Sequence, residues 1–178
     1  MSRMLSLTMN DAAAGILGVL ASRVDLTPPG GLAPGLRDRL TEGITRRGQV
    51  LTWANSAGNA NDAPSFFGDL TGWECADSSF HLEDHVPVDV RIIDDAPQVS
   101  QDDQRILLLH GITFALEFRD LITRLDHPSP VRCIVSANET NATFRFHQIR
   151  AGESWSHPDL DSYRMDKMVV IDLKPAAG

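Results

Sequence analysis

The chain has 178 residues, 42% of them hydrophobic and 22% charged, a balance that excludes wholesale disorder and a fibrous repeat and suits one domain spanning residues 1–178. A formal charge of −8 and a pI near 5.1 argue against broad binding to nucleic acid or an anionic membrane, which needs clustered Lys and Arg. Only Lys167 and Lys174 are lysines and every other basic side chain is Arg, a bias that suits a GC-rich bacterial genome. Cys75 and Cys133 form no CxxC pair, so neither a zinc ribbon nor a thioredoxin-type redox site is expected. With no membrane-length apolar run, the chain reads as cytoplasmic, with both thiols reduced.

In chain order, Asn10 or Asp11 is suited to cap a helix that carries Ile16, Leu17, Leu20 and Val24 on one face. Pro28, Pro29, Gly30, Gly31 and Pro34 mark a loop. A second short helix is expected from the spacing of Leu36, Leu40 and Ile44, supported by a Glu42–Arg46 pair and ended by Gly48. Val50 to Ala54 reads as a strand, and the Asn-, Gly- and Asp-rich stretch from Asn55 to Ser65 as a loop. Trp73 to Cys75, Ser79 to Leu82 and Val86 to Ile93 read as strands, the last with Val88, Val90 and Ile92 on one face and Pro87 at an edge.

Ser100, followed by Asp102 and Asp103, is a capped helix start. The periodicity of Leu108, Ile112, Ala115, Leu116, Ile122 and Leu125 predicts one long helix from Gln101 to Leu125, apolar on nearly all sides and hence buried. Val131 to Ser136, Thr143 to Ile149 and Met168 to Leu173 are strands, the first two joined by a turn at Asn138–Asn141. The expected class is α+β: an antiparallel sheet packed on a long buried helix, with an N-terminal helical segment.

No complete catalytic constellation is present. His81 and His85 flank Glu83 and Asp84, but Leu82 stands where the zincin pattern needs Glu, so no metal site is expected. Leu107 to Gly111 resembles the oxyanion-loop segment of α/β hydrolases, yet the G-x-S-x-G nucleophile elbow occurs nowhere. Cys133 and His147 would make a nucleophile–base pair if adjacent strands brought them together. The expectation is therefore a non-catalytic binding protein without cofactor. A small metal- or thiol-dependent enzyme using His81/His85 or Cys133/His147 is the alternative. Partner contacts are expected at the acidic loop residues Asp94 and Asp95, with an aromatic centre among Trp53, Phe66 and Phe67.

The run Phe144-Arg145-Phe146-His147-Gln148-Ile149-Arg150, followed by Trp155, Tyr163 and Lys167 to Pro175, resembles immunity proteins that protect bacteria from their own polymorphic toxins. That resemblance implies a protein partner, a toxin domain whose substrate cleft is blocked. Nuclease and NAD-hydrolysing toxins are both compatible targets.

Overall fold

The computed structural model describes residues 5–18 and 25–175. Strand β1 (Leu5–Met9) leads into helix α1 (Asp11–Leu17), where the Asn10 side chain accepts from Ala13 N at 3.0 Å as the N-cap. The same amide oxygen accepts from Met168 N at 3.0 Å, so one buried side chain ties the first helix to the last strand. Leu20 and Val24, expected on this helix, lie outside the described residues. Helix α2 (Pro34–Glu42) follows, then the hairpin of β2 (Ile44–Arg47) and β3 (Val50–Trp53). Helix α3 (Leu70–Ser78) leads to the short β4 (Phe80–His81).

A separate two-stranded ribbon, β5 (Val90–Ile93) and β6 (Ala96–Val99), precedes the long helix α4 (Gln101–Thr123). Ser100 caps α4 by accepting from Asp103 N at 3.1 Å, as the sequence implied, and the predicted C-terminus is two residues too long. Strands β7 (Val131–Ala137), β8 (Ala142–Gln148) and β9 (Lys167–Leu173) complete a five-stranded antiparallel sheet in the order β1-β9-β7-β8-β4. The class is α+β, with α4 packed on the sheet.

Parity decides which side chains meet α4. Cys133, Val135, Phe144, Phe146, Val169 and Ile171 share the buried face, and there α4 approaches so closely that a Cβ on Gly111 would overlap the Val135 side chain. On the opposite face, Ile134, Met168 and Val170 form a smaller apolar cluster under Trp155, Leu160 and Tyr163.

Four expectations need correction. Trp73 to Cys75 is helical, because Asp69 caps α3 by accepting from Gly72 N at 2.7 Å. The second helix stops at Gly43, so Ile44 begins a strand, and Gly48, at φ 61°, sits in the β2–β3 turn. Arg46 consequently leaves Glu42 and donates to the Gln148 side chain at 2.8 Å, while Glu42 pairs with Arg39. The last of the middle strands begins only at Val90, and β1 was not foreseen.

The outer edge of β8 is closed mainly by side chains. Phe144 pairs with Phe80 of β4, but the neighbouring N–H groups donate to side-chain oxygens: Ala142 to Glu83 at 2.9 Å, Phe146 to Ser78 at 2.9 Å and Gln148 to Glu74 at 2.7 Å. Glu74 is fully buried and accepts five hydrogen bonds, from Leu51 N, Gln148 N, the Gln148 side-chain amide and both terminal nitrogens of Arg150. Replacing a carboxylate oxygen by NH2 would aim a donor at donors and leave Arg150 with only the Glu153 carboxylate, 3.8 Å from its Nε. Glu74→Gln should therefore lower the unfolding free energy by about 3–5 kcal/mol in urea titrations, the usual cost of breaking a buried pair.

Candidate functional site

The β5–β6 ribbon is the element least absorbed by the fold. At its base Val99 is 4% exposed and its N–H donates to Glu139 O at 2.7 Å in the β7–β8 turn, while Val90 packs against the core. Beyond that base, all of residues 91–98 are exposed. Alternation puts Val90, Ile92, Pro97 and Val99 on one side, with Val90 opposite Val99 and Ile92 opposite Pro97. An apolar stripe thus leaves the core and continues into solvent, where Ile92 is 68% exposed. The other side carries Arg91, Ile93, Ala96 and Gln98, and Arg91 pairs with Asp89 at 3.1 Å in open solvent.

Asp94 and Asp95 form the two-residue tip at φ 51° and 61°. Positive φ at both positions is the geometry that hairpins usually assign to Asn-Gly, because a Cβ there costs on the order of 1 kcal/mol per residue. The ribbon retains that strain and places two carboxylates side by side at its end.

The other expected contact residues lie elsewhere. Phe66 is fully exposed and Phe67 half-exposed on a single turn of 3-10 helix, Ser65–Phe67, that leads into α3. Thr71 in the first turn of α3 donates to Glu153 at 2.7 Å, past the C-terminal end of β8, whereas the ribbon is anchored at the turn preceding β8. The acidic tip and the phenylalanine pair are therefore attached at opposite ends of that strand. Trp53 belongs to neither surface. It is 1% exposed and donates from Nε1 to Ser78 O at 3.0 Å, with Phe146 and Phe118 at centroid distances of 5.2 and 5.6 Å. Its large ring sits among five phenylalanines in the core and is unavailable as the exposed centre of a contact.

Strand parity also dissolves the thiol dyad. Cys133 pairs with Phe146 and His147 with Arg132, so the thiol and the imidazole project from opposite faces of the sheet. Both cysteines are free and buried; burial pushes the Cys133 thiol well up and Cys75 to about 12, far from thiolate reactivity. His81 is occupied with Glu83 at 3.2 Å, while the ring of His85 packs edge-on against Phe80. Among the described residues, no group of three or more His, Cys, Asp or Glu side chains is placed to hold a metal ion. The hydrolase-like segment is helix interior, and His110 there accepts Ala33 N at 3.3 Å.

Sequence reasoning missed Ile92 and Pro97 as exposed partners, because the alternation of Ile92 with Val90 reads equally well as a core face and no strand was expected at Ala96–Val99. The available signal was Pro97, which has no N–H to give a neighbouring strand.

Burial lowers the pKa of both His110 and His147. Each fits a neutral ring: His110 Nδ1 is an acceptor, and His147 Nδ1–H donates to Gln148 O at 2.7 Å. Because the folded state binds fewer protons than the unfolded chain, whose histidines titrate near about 6.5, stability should be full above that pH and fall as pH drops below it. Urea titrations at pH 7.5 and 5.5 should show the loss, and both rings should remain neutral in NMR titrations at pH values where a free histidine is protonated.

Among the described residues, no helix is long and apolar enough to cross a membrane. No curated protein and no solved structure matches the chain. Residues 22–176 match the model of the family described as Uncharacterized protein PM0498 family, and on that coverage the chain belongs to this family.

Proposed function

We propose that the protein is a non-catalytic cytoplasmic binding protein of the immunity type, which seats its β5–β6 ribbon in the substrate cleft of a cognate toxin enzyme. The observation that carries this reading is the ribbon's apolar stripe, continuous with the core at Val99 and left uncovered at Ile92 and Pro97. A projecting ribbon is shaped to enter a concavity, with Ile92 as the desolvated centre and Asp94 and Asp95 meeting basic groups at its floor. This keeps the acidic residues expected from the sequence and replaces Trp53 by Ile92 as the apolar centre. Phe66 and Phe67 form a second exposed patch, separately placed.

Photo-crosslinking residues placed at position 92 and, separately, at position 66 test the assignment in cells of the source bacterium. The ribbon probe should trap an enzyme of the toxin class, and purified protein should abolish that enzyme's activity. With this partner, Ile92→Asp should weaken binding by at least about 2 kcal/mol, roughly thirtyfold, as loss of a buried interface centre does. Replacing Asp94 and Asp95 together by Asn should mainly slow association and flatten its salt dependence. Trapping from position 66 alone, or full protection by Ile92→Asp, would sink the reading.

A further inference from the structure

The sheet face turned away from α4 carries a pocket unrelated to the ribbon. Arg132 on β7 and Thr8 on β1 form its floor, and the segment from Ser154 to Leu160 arches over them, leaving a cavity of about 280 Å3. Arg132 is fixed before any ligand arrives: its Nε donates to Asp172 Oδ1 at 2.7 Å and its Nη2 to Asp172 Oδ2 at 2.9 Å. Both bonds lie on one edge of the guanidinium. Nη1 makes no hydrogen bond among the described residues, and Arg132 lines the pocket while Asp172 does not.

The remaining polar groups include two hydroxyls able to donate. Ser156 is only 6% exposed; its carbonyl accepts the Ser154 hydroxyl at 2.8 Å, whereas its own hydroxyl, a lining group, has no partner among the described residues. His157 Nδ1 lies 3.0 Å from Asp159 N and 3.2 Å from Asp159 O, so that nitrogen is engaged within its own loop and Nε2 is the ring nitrogen left for a ligand. Thr8 adds a hydroxyl from the floor. Unspent donors around a small cavity, one of them on a preset guanidinium, are complementary to an acceptor-only group with several oxygens.

We infer that this pocket binds a small oxyanion, a carboxylate or phosphate group, between Arg132 Nη1 and the Ser156 hydroxyl. Asp172 offsets the charge of Arg132, so selectivity comes from donor geometry and the affinity is modest, with a dissociation constant on the order of millimolar. The site stands or falls independently of the ribbon.

Inorganic phosphate and acetate, titrated separately at constant ionic strength against isotopically labelled full-length protein, supply the test. At least one should give saturable shifts confined to Thr8, Arg132, Ser156 and His157, and the tighter of the two identifies the headgroup. Arg132→Gln combined with Asp172→Asn removes the two paired charges together, so that neither is left without its partner, and should weaken binding at least about tenfold. Ser156→Ala, a smaller change that removes only a hydroxyl without a hydrogen-bonded partner among the described residues, should weaken it severalfold without altering the spectrum elsewhere. The inference is overturned if neither anion saturates, if chloride gives the same shifts, or if the paired variant and Ser156→Ala both bind as tightly as the parent.

Discussion

The buried carboxylate of Glu74 stands where the fifth strand would otherwise have to continue alongside β8. On the side away from β7, β8 has no strand among the described residues beyond the two residues of β4, and a bare edge with inward core residues would leave backbone N–H groups without acceptors. Helix α3 supplies them from its side chains, with Ser78 and Glu74 one turn apart meeting alternate residues of β8. Arg150 makes that solution tolerable by neutralising the carboxylate, and Leu51 N and Gln148 spend its remaining lone pairs. The Gln148 side chain then bonds Gln49 O and Arg46. The β2–β3 hairpin, α3 and β8 are thus fastened at one point, and that fastening delivers Trp53 to the centre of the aromatic core.

Local chemistry explains which elements could be read in advance. Ser100 with its following aspartates, Asn10 before α1, and the Asn138–Asn141 turn between two alternating strands all carry their signal within a few residues. Helix α3 does not: Trp73, Glu74 and Cys75 alternate like a strand, and the glycine at 72 weakens the helical pattern. Only the Asp69 cap distinguished the two. Trp53 was illegible for a different reason, since an aromatic residue at a strand end looks alike whether it meets a partner or five phenylalanines brought together from distant parts of the chain.

The candidate site shows the same division. Asp94 and Asp95 announced an exposed turn by composition, but their positive φ comes from the two-residue turn that closes the Ile93–Ala96 pair, and the length of ribbon standing free of the core depends on where Val99 is anchored. Conversely, the failure of Cys133 and His147 to meet was latent in the sequence. The short turn between β7 and β8 sets odd positions of one strand against even positions of the other, which sends two odd-numbered residues to opposite faces.

The sheet's two margins are unlike. One is sealed by Glu83, Phe80, Ser78 and Glu74, whereas the outer margin of β1 faces no strand among the described residues and carries no charged side chain from Leu5 to Met9. A sheet open on one margin can be extended there by a single added strand, but two copies joined through that margin present only sealed ones. Growth of this five-stranded sheet through its β1 margin is therefore self-terminating, without any gatekeeper charge on the exposed strand.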